Sequence, residues 1–296
     1  METGQYSTEK TAEKSNCMFT PELVDIKITN YCDTGCKFCY QNSGTNGKHA
    51  EISVIRKIAD VLKKCEVFEV AIGGGDPVLH PGFLNILEIF TANGIVANFS
   101  TSKTSLLCDQ NIMKDIRSGM GGTGKIGISI NNDNKLKIFI EEFSQNCSYN
   151  IKDIFTVHHV LGVSDMQTTE NMINTCNSAG VDILLLGFKN TGRAVDCKKH
   201  DYSKMIEVLK KFVDKGNQSM SVAIDTSVAA EFKNRLKHEL GVDDRLMSFK
   251  EGEFSMYVDA VDMFMARDSY SGSDRKDIDI KSFCRKDVED FFVGLV

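Results

Sequence analysis

Cys32, Cys36 and Cys39, in the stretch CDTGCKFCYQ, crowd three thiols into eight positions of a 296-residue chain. Three chemistries use thiols at such spacing. A structural zinc wants four tetrahedral ligands, usually as two C-x2-C pairs; no second pair exists, although Cys17 could supply a fourth thiolate. A thioredoxin-like redox couple needs two thiols at a helix start and leaves Cys32 without a role. A cubane iron–sulfur cluster takes four thiolates, so three at C-x3-C-x2-C spacing suit a site whose fourth iron is open to another ligand. Gly35 fits a loop wrapping closely round such a group, where positive φ costs little.

These thiols need elements to hold them. Short β-rich runs begin near Leu23, Val67, Val96, Lys125, Ile154, Asp182 and Ser221, at intervals of 44, 29, 29, 29, 28 and 39 residues. Amphipathic helical patterns lie between them. SVIRKIADVLKKC puts Val54, Ile55, Ile58, Ala59, Leu62 and Cys65 on one face, FLNILEIFTANG stops at Asn93-Gly94, and MQTTENMINTCNSAG ends at Gly180. About 29 residues is what a strand, a turn and a crossover helix occupy, so the pattern predicts an α/β fold with a parallel sheet. Right-handed crossovers close it into a full or partial β/α barrel, with an open doubly wound sheet as the alternative. Catalytic groups then belong at the C-terminal strand ends, and CDTGCKFC starts three residues after the first strand, VDIKIT.

Other strand ends carry polar groups. The second runs into GGGDPVLHP, where glycines allow a ligand close to the backbone and a carboxylate can receive an ammonium group. His80 there reads as a residue that starts the next helix. The third end offers Ser100 and Thr101 as hydroxyls, or as caps of the next helix. The fourth places Ser129 and Asn131 two apart and so on one side of the strand. The fifth carries His158-His159, of which one must face the barrel interior. After the sixth come Lys189 and Arg193, candidate anchors for a carboxylate, and Asp225 closes the last strand.

With its following aromatic, Tyr40, the C-x3-C-x2-C motif at the first strand end resembles that of the radical S-adenosylmethionine (radical SAM) superfamily. The resemblance extends from Leu23 to Asp225. It implies a partial (β/α)6 barrel of the radical SAM type with a short C-terminal α/β extension. It further implies a [4Fe-4S] cluster on Cys32, Cys36 and Cys39, whose open iron chelates S-adenosylmethionine (SAM). One electron cleaves that molecule to a 5′-deoxyadenosyl radical, which takes a hydrogen atom from the substrate. On the same resemblance Gly74, Gly75 and Asp76 match the motif at the methionyl amino group, Ser129 and Asn131 match a Ser-x-Asp/Asn pattern near ribose and carboxylate, and Tyr40, Ser100 and Arg193 join the cofactor-binding set. A flavodoxin- or ferredoxin-type electron donor is an implied partner.

FSMYVDAVDMFMARDSYSG resembles the opening of the extension that carries auxiliary clusters in peptide- and protein-modifying members. Only Cys284 lies in the last 99 residues, so no auxiliary cluster can be built there from cysteines. A peptide or protein substrate is the resulting expectation, with epimerisation or cross-linking as the outcome. An epimerase needs a hydrogen donor, for which Cys284 and Cys197 are the candidates. A radical SAM enzyme acting on a small metabolite or nucleoside is the runner-up, and a non-catalytic iron–sulfur or zinc-binding module is the alternative outside that family.

Composition bounds the rest. Lys plus Arg is 35 and Asp plus Glu is 41, so a net charge of -6 speaks against nucleic acid as partner. No apolar run approaches the 18 or so residues of a membrane helix, and METGQYSTEK lacks the apolar core of a signal peptide. The scattered remaining cysteines suit a reducing compartment, so a cytoplasmic location is expected. Residues 1 to 20 read as a flexible N-terminal segment without a separate leader-recognition domain, 21 to 225 as the core domain, and 226 to 296 as a capping extension.

Overall fold

The computed structural model describes residues 19–272 and 274–295. The expectation for residues 1 to 20, and Cys17 with it, lies almost wholly outside the described residues. The elements run β1 (Leu23–Thr29), α1 (Ile52–Lys64), β2 (Glu69–Gly74), α2 (Phe83–Ala92), β3 (Val96–Thr101), α3 (Thr104–Leu107), α4 (Gln110–Gly119), β4 (Ile126–Ser129), α5 (Asp133–Asn146) and α6 (Ile151–Ile154). They continue as β5 (Phe155–Val160), α7 (Met166–Ala179), β6 (Asp182–Leu186), α8 (Met205–Asp214), β7 (Val222–Ile224), α9 (Thr226–Leu240), β8 (Ser255–Asp259), β9 (Phe264–Ala266), β10 (Lys276–Asp277) and α10 (Arg285–Val293).

All ten strands form one sheet, ordered β10-β9-β8-β1-β2-β3-β4-β5-β6-β7. The strands from β1 to β7 are parallel neighbours in chain order, the partial barrel that the resemblance implied. Among the described residues its two edges, β7 and β10, do not pair, so the barrel stays open. The C-terminal extension joins the sheet. β8 lies parallel to β1, with Lys27 opposite Asp259, and β9 and β10 follow antiparallel.

Local chemistry explains the element ends. Asp109, Asn132, Asp165 and Asp225 each accept backbone N–H groups in the first turns of α4, α5, α7 and α9. Gly180 ends α7 in the left-handed region, at φ 68°.

The two sides of the sheet differ in kind. Residues facing the helices are apolar and buried: Val24, Ile26 and Ile28 of β1, Val70 and Ile72 of β2, Ile183 and Leu185 of β6. They meet stripes such as Ile55, Ile58 and Leu62 of α1, each fully buried side chain contributing roughly 1.5–3 kcal/mol. Phe139, Phe143 and Phe155 lock α5 to β5 edge to face, with ring centroids 5.3 and 4.9 Å apart at Phe155. The opposite side carries Asp25, Glu69, Ala71, Asn98, Ser100, Thr156 and His158, all partly accessible. Alternation of buried and accessible residues along β2, β3, β5 and β6 therefore marks an open interior lumen rather than a filled one.

Candidate functional site

The cysteine loop follows β1 directly. Its start is pinned by the Cys32 N–H to Gly44 carbonyl bond (3.1 Å), and a tight turn is closed by the Cys39 N–H on the Cys36 carbonyl (3.3 Å). Gly35 turns at φ 65° with open space around its Cα. All three thiols are half-buried and free. Burial pushes the Cys36 thiol pKa up, the neighbouring charges of Cys32 and Cys39 push it further, and Arg193 opposes them. The three sulfurs are thus electrostatic neighbours. Among the described residues no three His, Cys, Asp or Glu side chains converge on a single metal position.

The segment after β6 clamps this loop. Arg193 donates from Nε to the Cys36 carbonyl (3.0 Å), and from Nη1 to the Ser43 carbonyl (2.7 Å) and Asn42 Oδ1 (3.2 Å). Its backbone N–H donates to the Cys39 carbonyl (3.0 Å), and the Thr191 hydroxyl to the Tyr40 carbonyl (3.1 Å). The Arg193 guanidinium, expected as a cofactor contact, bonds the loop backbone and the Asn42 side chain through Nε and Nη1. A Cβ on Gly192 would stand 2.4 Å from the Tyr40 oxygen, so only glycine permits the approach.

Gly74 and Gly75 have a similar packing reason. Cβ atoms there would meet the Thr29 and Tyr31 oxygens at 2.2 and 2.0 Å, while the Gly75 and Asp76 N–H groups donate to those same carbonyls at 2.7 and 3.0 Å. The Asp76 carboxylate is buried and accepts from the Thr101 hydroxyl (2.6 Å), the Ser102 N–H (2.9 Å) and the Ser102 hydroxyl (2.8 Å). It stitches the end of β2 to the end of β3. Thr101 is consumed in that bond, whereas Ser100 projects to the lumen side.

Ser129 is exposed at the last position of β4, opposite His158. Asn131 Oδ1 accepts the Val160 N–H at 2.7 Å. The histidine pair divides as a strand requires. His159 is buried toward α7 with Nε2 2.9 Å from the Thr169 hydroxyl, so His158 faces the lumen, its ring lying over Gly127. Burial pulls the pKa of each down to about 4, leaving both neutral at pH 7. His80 starts α2: its Nδ1 accepts the Gly82 N–H (2.9 Å) and its Nε2 bonds the Ala50 carbonyl (3.0 Å).

Several expected residues are engaged elsewhere. Asp225 caps α9 through the Val228 N–H (2.9 Å) and accepts the Gly187 N–H (2.9 Å). Cys284 is exposed at the start of α10, which packs on α1 outside the lumen, and its thiol pairs with Asp287. The Cys197 thiol turns to the Lys37 carbonyl of the cysteine loop (3.1 Å).

The extension reaches the mouth of the barrel. Tyr40 shares a hydrogen bond with Ser269 (3.1 Å), and Tyr270 donates to Glu251 (3.0 Å). Between them lies Lys189, its ammonium 5.0 Å from the Tyr40 ring and 4.5 Å from the Tyr270 ring. Sequence reasoning missed Asp25, Glu251 and Tyr270. Asp25 had a signal: LVDIKIT places Asp25, Lys27 and Thr29 on one side of a strand otherwise apolar.

The family model described as the Radical SAM superfamily matches residues 26–234. Mycofactocin maturase MftC of Mycobacterium tuberculosis (strain CDC 1551 / Oshkosh) is 32% identical over 84 residues, 28% of this chain and 21% of that protein. GTP 3',8-cyclase of Chlorobaculum tepidum is 22% identical over 104 residues, 35% of this chain and 32% of that protein. The chain thus spans a fifth to a third of these relatives' length. Among solved structures, Streptococcus suis SuiB superposes with a TM-score of 0.67 at 14% identity, covering 96% of this chain and 68% of SuiB. Native anSMEcpe with bound AdoMet gives 0.63 at 14%, covering 93% of this chain and 83% of that one. No helix among the described residues is long and apolar enough to cross a membrane.

Proposed function

The chain belongs to the radical SAM superfamily of enzymes, and from that premise we propose that it modifies a peptide or protein through hydrogen-atom abstraction. In this reading Cys32, Cys36 and Cys39 hold a [4Fe-4S] cluster, and S-adenosylmethionine lies across the strand ends near Gly74, Gly75, Ser100, Ser129 and Asn131. Bound together, and given one electron from a flavodoxin- or ferredoxin-type donor, these groups supply a 5′-deoxyadenosyl radical. The protein supplies orientation and shielding. Arg193 and Thr191 fix the cysteine loop, Asp76 fixes the β2 and β3 ends, and Tyr40 joins the loop to the extension that overhangs the mouth.

The observation that carries this reading is the thiol triad at the end of β1, opening onto a polar lumen. The peptide class draws support from the relatives: MftC is a maturase, and SuiB has been crystallised with its precursor peptide SuiA. A cross-link fits this site better than epimerisation, because Cys284 lies outside the lumen and Cys197 is bonded to the loop backbone. The similarity to GTP 3',8-cyclase favours a nucleoside as the second reading.

The test is anaerobic reconstitution with iron and sulfide, reduction, addition of S-adenosylmethionine and quantitation of 5′-deoxyadenosine. Wild type should form it and Cys36→Ala should not. An iron-loaded wild type that forms none with any strong reductant overturns the reading. Hydrogen transfer from deuterated peptides, against none from nucleosides, separates the two substrate classes.

A further inference from the structure

Three polar side chains line the lumen side of β1. Lys27 is ion-paired with Asp259 at 3.0 Å, and the Thr29 hydroxyl lies 2.9 Å from His49 Nδ1. Asp25 has neither hydrogen bond nor ion pair among the described residues. It sits deep in the protein yet stays partly accessible, because it borders the open lumen. Three residues separate it from Thr29, so it lies roughly 13 Å below the end of β1.

Its charged neighbours come from every surrounding element: Lys189 after β6, Glu251 of the extension and Glu69 of β2, with Tyr257 opposite it on β8. The Lys27–Asp259 pair cancels its own charge, and His158 across the lumen is neutral. Glu69 accepts the Asn98 amide (2.7 Å) and Glu251 the Tyr270 hydroxyl. Lys189 makes no ion pair among the described residues; the Tyr40 and Tyr270 rings hold it. Four carboxylates, those of Asp25, Glu251, Glu69 and Asp225, thus surround one ammonium; Asp225 caps α9 and accepts the Gly187 N–H, so among the four only Asp25 keeps its lone pairs unused. Burial pushes its pKa up to about 6, Lys189 works against the rise, and Glu251 and Glu69 add to it. A buried carboxylate without donors is costly, and a bound cation would remove that cost through charge-assisted hydrogen bonds.

Building on the radical SAM reading of the thiol site above it, we propose that the lumen seats a cationic side chain of the substrate, a primary ammonium or a guanidinium, with Asp25 as its direct partner and Glu251 as the flanking charge. The substrate class is therefore a peptide presenting lysine- or arginine-type side chains at the site of modification.

The test uses the full chain, anaerobically reconstituted and supplied with S-adenosylmethionine, and three probes: the N-acetyl methylamides of lysine, arginine and norleucine. Saturation-transfer NMR should show the two cations binding at least tenfold more tightly than norleucine at pH 7.5. That preference should fall about tenfold between pH 7.5 and 5, as Asp25 takes up a proton. Asp25→Asn should abolish it while keeping the iron content, and Glu251→Gln should weaken it severalfold. Equal binding of lysine and norleucine probes, or a preference that survives Asp25→Asn and low pH, overturns the proposal. If Asp25→Asn does not fold, the wild-type pH series and Glu251→Gln decide. Absence of 5′-deoxyadenosine in wild type would sink the radical reading while leaving the cation preference measurable, so the two fail separately.

Discussion

The helix-facing and lumen-facing sides of the same strands obey opposite rules. Outward residues such as Ile26, Ile72 and Phe155 are apolar, fully buried and redundant in kind, so their role is volume and area removed from water. Inward residues such as Asp25, Ser100 and His158 are polar, partly accessible and individually distinct. One side holds the molecule together, while the other keeps polar groups available at a cost in stability. A two-residue period lets one strand serve both purposes.

This contrast can be tested by substitution. Phe155→Ala should cost about 3–5 kcal/mol in denaturant unfolding, through lost burial and a cavity among Phe139 and Phe143. A loss below about 1 kcal/mol would deny that the outward side carries the stability. Asp76→Ala should cost about 1–3 kcal/mol, because the Thr101 and Ser102 donors are left inside without an acceptor. It should also lower S-adenosylmethionine affinity in isothermal titration, by loosening the β2 and β3 ends.

Asp25→Asn should act in the other direction. The folded pKa lies above the unfolded value, so ionising Asp25 destabilises the fold, and the penalty grows as pH rises from about 4 to about 6. The variant should gain on the order of 1–2 kcal/mol above pH 6 and nothing below pH 4, allowing for partial access to water. A gain independent of pH would exclude the buried charge as its cause. Ser129→Ala has the smallest expected effect on folding, within about 0.5 kcal/mol, yet it should raise the KM for S-adenosylmethionine without loss of iron. Unchanged KM would remove Ser129 from the cofactor site.

The outward side was readable in the sequence because its signal is local. Repeats of about 29 residues, the Ile55, Ile58 and Leu62 stripe and the Gly180 stop each depend on residues close in the chain, and the strands and helices fall near where they were expected. The cysteine loop was readable for the same reason. The lumen was less so. Arg193 reads as a ligand anchor, and only the fold shows that it also bonds the carbonyl of Cys36, 157 residues away. The second role of Asp76, stitching the ends of β2 and β3, and the cap that Asp225 makes on α9 emerge only once their hydrogen-bond partners are known. Tyr270 and Glu251 belong to a segment whose docking at the barrel mouth has no local signature. The extension, expected as a cap, also adds strands to the sheet beside β1.

The parallel pairing of β1 with β8 also bears on biosynthesis. Leu23 faces Ser255, so one edge of β1 waits for a partner 232 residues later in the chain, counting from 23 to 255. At about 5–20 residues per second, that edge stays open for roughly ten seconds or more after β1 leaves the ribosome. During that interval VDIKIT is an unprotected strand edge able to pair with other chains. Yield of native protein should therefore depend on chaperone supply more than thermodynamic stability alone would suggest.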